Sequence, residues 1–182
     1  LVINVGVIGY GYWGPNLVRN LAEVSRVKLT AVADSSPEKL ALVQRRFPAV
    51  TTTADYQDLI RDPSIDAIAI ATPVSTHFEL GMAVLKAGKH LWLEKPMTET
   101  SLQARQLLEE AEKRNLILFV DHTFVYTGAV RKMREIVSSK DLGKILYYDS
   151  SRVNLGLVQH DVNVIADLGV HDFSILDHLL KE

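Results

Sequence analysis

Short apolar runs alternate along the chain with stretches of helical spacing, and turn residues separate them. Val2 to Ile8 is apolar and ends at Gly9. Pro15 to Val24 follows, with Leu17, Val18 and Leu21 on one helical face. Val27 to Ala33 is a second apolar run, ending at Asp34. Ser36 is placed to cap a helix that Pro37 opens, that continues to Phe47 and that Pro48 stops. Thr51 to Thr53 predicts a short strand and Asp55 to Arg61 a short helix. Ile65 to Thr72 is almost continuously apolar, as a strand covered on both faces should be. Ser75 is expected to cap a helix reaching Ala87, with Gly88 as its stop. His90 to Leu93, an amphipathic helix over Ser101 to Arg114, and Leu116 to Val120 complete the series. Strands alternating with helices predict an α/β Rossmann architecture, a doubly wound parallel sheet.

The pattern changes after Asp121. Gly128 to Ser139 reads as a helix and Asp141-Leu142-Gly143-Lys144 as a turn. Ile145 to Val153 alternates weakly, as an antiparallel strand with one wet face would, and Val162 to Leu180 reads as a final helix. One strand with one or two helices cannot close a core. Residues 1–121 are therefore expected to form one domain. Residues 122–182 are expected to be the incomplete start of an α+β domain with an antiparallel sheet.

Composition narrows the class without changing it. Apolar residues make up 47% of the 182 and charged residues 23%, as in a globular protein with a real core. The net charge is −2 with no basic block, so neither nucleic acid nor an anionic membrane surface is expected as a partner. The absence of cysteine excludes disulfides and thiolate chemistry and is compatible with the cytoplasm. The apolar start runs into Gly9 and reads as a buried strand rather than a signal peptide.

The chemistry begins at Gly9-x-Gly11-x-x-Gly14. Gly9 suits a tight turn, Gly11 lets a pyrophosphate approach the backbone, and Gly14 lets the helix pack on the strand. The helix start then offers free N–H groups to a phosphate. Asp34, at the end of the second strand, can accept hydrogen bonds from both adenosine ribose hydroxyls and would repel a 2′-phosphate. Ser35 and Ser36 supply no cation, so NAD is preferred over NADP. Tyr10, Tyr12 and Trp13 could cover the cofactor, although packing of the turn is the plainer reading. Thr72-Pro73 and His77, after the fourth strand, should line the same crevice. His77 is equally suited to capping or packing.

Glu94-Lys95-Pro96 directly follows the fifth strand, where ligands of open α/β sheets bind. A lysine there can hold a substrate hydroxyl or take part in proton transfer. Asp167 and His171 stand at i, i+4 on the final helix, so one face presents both. The imidazole can accept a proton near neutrality, and Asp167 can orient it or hold substrate. His178 shares that face, yet nothing else supplies convergent metal ligands, and no metal is expected. Asp121-His122, His160, Asp161 and Asn163 are secondary candidates for substrate contact, the last three more naturally as caps or loop polar groups.

Together these residues resemble the Gfo/Idh/MocA oxidoreductases, named for glucose–fructose oxidoreductase and inositol dehydrogenase. The likeness covers essentially the whole chain. It is carried by the glycine turn, Asp34, Ala71-Thr72-Pro73 with His77, Glu94-Lys95-Pro96 and Asp167-x-x-x-His171. It implies a Rossmann domain followed by a domain built on an open antiparallel sheet, which commonly forms a homo-oligomer interface. It implies oxidation or reduction of a sugar or cyclitol carbon with NAD or NADP, with Lys95 and His171 as the catalytic pair and Asp167 assisting. Gly9 to Leu17, with His160-Asp161-Val162-Asn163, is most like enzymes that oxidise the 3-hydroxyl of nucleotide-linked amino sugars or uronates. Family members are roughly twice this length, so the chain is expected to be part of a longer protein, with most of the substrate wall outside it. Two other readings stay open: a dinucleotide-sensing regulatory module, and reduction of a small non-sugar carbonyl or imine.

Overall fold

The computed structural model describes residues 2–139, 141, 143–153 and 162–180. The chain divides into two compact units, Leu1–Val120 and Asp121–Glu182.

In the first unit five apolar runs and the polar Thr51–Thr53 segment pair into six parallel strands. These are β1 (Ile3–Ile8), β2 (Val27–Ala33), β3 (Thr51–Thr53), β4 (Ala67–Ile70), β5 (His90–Leu93) and β6 (Leu118–Val120). Their order in the sheet is β3-β2-β1-β4-β5-β6, which is the doubly wound arrangement. Successive strand residues point to opposite faces, so Ile68 and Ile70 enter one core cluster and Ala69 the other. The first cluster is closed by Leu59, Val84, Leu85 and Leu107 from α3 (Tyr56–Arg61), α4 (His77–Lys86) and α5 (Ser101–Lys113). Leu17, Val18, Leu21 and Val43 of α1 (Gly14–Glu23) and α2 (Pro37–Arg46) close the second. Apolar burial on both faces is why β4 reads as a continuous run.

Local chemistry sets the helix starts. Ser36 accepts from the Lys39 N–H and Asp55 from the Gln57 N–H. Thr100 and Gln103 form a reciprocal capping box on α5. Ser75 does not cap α4. A 3₁₀ turn over Val74–Thr76 intervenes, and α4 begins at His77. The fourth strand is shorter than its apolar run because Ile65 belongs to the preceding turn, where its N–H donates to the Asp62 carbonyl.

That turn is held by Lys89, which is 5% exposed. Its ammonium donates to the carbonyls of Asp62 (2.6 Å) and Ile65 (2.8 Å). Burial pushes the amine's pKa down, opposed by the nearby Asp62 and Asp66 carboxylates. Lys89→Met keeps most of the stem but leaves one buried and one partly buried acceptor without this donor. Urea unfolding of the variant should show a loss of roughly 1–3 kcal/mol. An unchanged midpoint would mean that the carbonyls do not depend on Lys89.

The second unit contains a 3₁₀ turn at Thr123–Tyr126, α6 (Gly128–Ser139), a π turn at Ile165–Gly169 and α7 (Val170–Leu180). Its buried core is Val130, Ile175 and Leu179. An apolar cavity of about 270 Å³ lies between α6 and α7, lined by Met133, Ile136, Val137, Ile145, Tyr148, Leu176, Leu179 and Leu180. Ile145 to Val153 is not a strand, contrary to its alternation. An isolated strand has no ladder to complete, and no strand of this unit lies among the described residues to pair with it.

Candidate functional site

The switch in strand order falls between β1 and β4, so the crevice at their carboxyl ends is where a ligand of such a sheet sits. Gly9 ends β1 with φ +98°, and a side chain there would strike the Ala71 carbonyl and Thr72. A Cβ on Gly14 would overlap the Gly9 carbonyl, so this glycine sets how closely α1 packs on the turn. At Gly11 the same construction meets nothing within 4 Å. The glycine turn therefore has two structural positions and one that opens onto free space. Trp13 gives α1 no side-chain cap, and the first turn carries no acidic residue. The positive helix end is thus left for an anion.

Asp34 stands beside the glycine turn. Its Oδ2 accepts the Tyr10 N–H at 2.6 Å and its Oδ1 the Ser36 N–H at 2.9 Å, which fixes the carboxylate beside the turn. Ser35 and Ser36 supply no cation, but α2 does. Lys39, in its first turn, brings its ammonium to 3.5 Å from Oδ2. Of the three aromatics in the turn, Tyr10 is a core residue at 4% exposure, whereas Tyr12 is 78% exposed and Trp13 39%.

Thr72 and Pro73 follow β4. The Thr76 hydroxyl donates to the Pro73 carbonyl at 2.7 Å, so the 2.6 Å contact between Thr72 and Thr76 takes its proton from Thr72. Glu94, buried at the end of β5, donates its N–H to the Ile70 carbonyl. Lys95 comes next, half-buried, and its bond to Pro96 is cis. His77 was expected to line the crevice, but its ring is 1% exposed and closed between backbone segments. Nε2 is 2.9 Å from the Thr72 carbonyl and Nδ1 is 3.0 Å from the Pro96 carbonyl. The fold thus joins the glycine turn, Thr72, His77 and the Lys95 loop in one continuous edge.

In the second unit, His171 is in the first turn of α7, after the π turn that carries Asp167. Sequence spacing expects one regular helix here, but the Val170 N–H reaches back to the Ile165 carbonyl. The His171 ring meets Phe124 edge-on at 4.7 Å. Arg152 lies over the other ring system of this stack, 4.7 Å from the Phe124 centroid. Its guanidinium donates to both Asp172 oxygens, at 3.1 and 3.0 Å. This pairing holds the Asp172 carboxyl below its usual range and raises Arg152. Sequence reasoning missed Arg152, Phe124 and Asp172, which lie far apart along the chain and share no motif. Asn163 serves as a cap, accepting the Ala166 N–H. At His122, burial lowers the imidazole pKa, opposed by Asp121. His160 and Asp161 lie outside the described residues.

A parallel sheet with a glycine turn at its switch point, an uncapped helix start and a carboxylate after β2 defines a dinucleotide-binding Rossmann domain. Residues 3–122 match the Gfo/Idh/MocA family, described as an oxidoreductase family with an NAD-binding Rossmann fold, and the chain belongs to that family. It is 27% identical to myo-inositol 2-dehydrogenase of Thermotoga maritima, over 99% of this chain and 55% of the relative. It is 29% identical to the NADP(+)-dependent scyllo-inositol 2-dehydrogenase of Bacillus subtilis, over 82% of this chain and 41% of the relative. The solved structure of GenD2 from gentamicin A biosynthesis, in complex with NAD, shares the fold with a TM-score of 0.87 at 22% identity. That match covers 99% of this chain and 54% of GenD2. The chain spans about half the length of these relatives. No described helix is long and apolar enough to cross a membrane.

Proposed function

We propose that this chain is the cofactor half of an NAD-dependent dehydrogenase that oxidises a secondary hydroxyl of a sugar or cyclitol. The observation that carries the reading is the continuous edge running from the glycine turn through Thr72 and His77 to Lys95. That edge supports reading Lys95 as a neighbour of a dinucleotide site, and a module that only sensed dinucleotide would not need such a lysine. Bound NAD supplies the hydride acceptor. Gly11 admits the pyrophosphate, the α1 start faces its charge, and Asp34 receives the ribose hydroxyls. Lys95 holds the substrate oxygen and stabilises its developing negative charge. His171 takes the hydroxyl proton, with Asp167 orienting it. These last two roles rest on the Asp167-x-x-x-His171 motif, and residues 122–182 are read as the start of the substrate domain.

The named relatives act on inositols, which supports a free cyclitol or sugar as the broad substrate class. The glycine-turn sequence supports a narrower choice, the 3-hydroxyl of a nucleotide-linked amino sugar or uronate. Incubating the full-length protein with NAD and a panel covering both classes tests this. NADH should form with at least one of them. Tight NAD binding with no turnover would favour the sensor instead.

Cofactor choice has its own test. Asp34 disfavours a 2′-phosphate, while the Lys39 ammonium beside it partly offsets that charge. Lys39→Ala should weaken NADP about 5- to 10-fold and change NAD less than about 3-fold, since an exposed pair contributes roughly 1 kcal/mol. Titration of both dinucleotides reads this directly. Equal losses for the two would remove Lys39 from discrimination.

A further inference from the structure

We propose that His77 is the positioning residue for Lys95, a doubly protonated imidazole that ties the loop after β4 to the loop carrying the lysine. The proposal rests on the role given to Lys95 above, but its geometry stands independently. His77 is 1% exposed, and its two nitrogens lie 2.9 and 3.0 Å from the carbonyl oxygens of Thr72 and Pro96. Carbonyl oxygens only accept, and a neutral imidazole carries a single N–H. A neutral ring would therefore set a nitrogen lone pair against an oxygen lone pair at one of these contacts. Only the imidazolium donates to both, and each carbonyl dipole favours that charged form.

Among the described residues, the ionisable side chains on the elements packed against His77 are mostly exposed. β4 (Ala67–Ile70) and the Val74–Thr76 turn carry no ionisable side chain. On α5, Arg105, Glu109, Glu112 and Lys113 are exposed, and Glu110 pairs with Arg114. On α4 itself Glu79 is exposed. Beyond β5 the ionisable groups are Glu94, buried and two residues before Pro96, Lys95, half-buried, and Glu99, exposed. β5 adds His90, whose Nδ1 accepts the Ile117 N–H. The amino end of α4 opposes a cation, and the two carbonyls counter it.

The consequence is mechanical. Thr72 backs onto Gly9, so one ring links the cofactor side of the crevice to the backbone that aims Lys95. A lysine amine misplaced by an ångström costs about 100-fold in rate without weakening cofactor binding.

Two measurements test the proposal. In protein labelled with ¹⁵N-histidine, long-range ¹H–¹⁵N correlation should show both His77 nitrogens protonated at pH 8, where an ordinary imidazole is neutral. The resonance is assigned by its absence in His77→Gln. A single-tautomer neutral pattern would overturn the proposal, whatever the variants do. In the full-length enzyme, His77→Gln and His77→Phe should lower kcat about 10- to 100-fold and leave NAD affinity within about 3-fold. Unchanged kcat in a folded His77→Phe would also overturn it. Should the unmutated full-length enzyme turn over no substrate, the role of Lys95 fails, while the nitrogen spectrum still decides the state of the clamp.

Discussion

Lys95→Ala in the full-length protein is expected to bind NAD as the unmutated protein does and to lose turnover by roughly 10²- to 10⁴-fold. The lysine follows β5 at the edge where ligands of this fold bind, and the backbone on either side of it is anchored, by the Pro96 carbonyl at His77 and by the Glu94 N–H on the Ile70 carbonyl. Removing the ammonium therefore leaves the turn, Asp34 and α1 in place. On the proposed mechanism, what disappears is the positive charge facing the substrate oxygen as it gains negative charge, an interaction felt in the transition state rather than in cofactor binding. Steady-state kinetics with an independent NAD titration separates the two. A fall in kcat with unchanged NAD affinity is the expected pattern. Equal falls in both would make Lys95 a cofactor ligand, and normal turnover would remove it from the chemistry.

The second large effect divides the glycine turn. Gly14→Ala must move backbone, because its Cβ overlaps the Gly9 carbonyl, and nothing flexible can yield there. It should lose roughly 3 kcal/mol or more of stability and bind dinucleotide poorly for that reason. Gly11→Ala meets no atom within 4 Å and should unfold at the same temperature as the parent. Its methyl instead stands where a pyrophosphate must approach, so NAD affinity should fall about 10- to 100-fold, or roughly 1.4–2.8 kcal/mol. Thermal unfolding and NAD titration on both variants read the contrast. A Gly11→Ala protein with normal stability and normal NAD affinity would show that the pyrophosphate does not pass this residue.

Much of this was legible before any coordinates. The alternation of apolar runs placed five of the six strands, because a sheet covered on both faces leaves little freedom in its composition, while Thr51–Thr53 is a short polar strand at the sheet edge. Gly9 and Gly14 were readable because backbone close approach demands glycine at fixed spacing, and the place of Asp34 was readable because it directly ends β2. What was not legible depends on folding back through space. Lys39 reaches Asp34 only because α2 begins immediately after the carboxylate and turns its first-turn lysine toward it. The acceptors of His77 are backbone carbonyls, which carry no residue signature. Arg152, Phe124 and His171 come from three separate segments. Ile145 to Val153 had the alternation of a strand, but a strand exists only with a neighbour to pair with. The π turn before His171 likewise left no trace in the apolar pattern.

The most direct measurement of the central claim follows one hydrogen. Full-length protein is incubated with NAD and a polyol or sugar carrying deuterium on its secondary carbinol carbons, and the dinucleotide is recovered for mass spectrometry. Deuterium at C4 of the reduced nicotinamide, absent when Lys95→Ala replaces the parent, is the predicted result. Saturable NAD binding with no deuterium transferred from any member of the panel would contradict it.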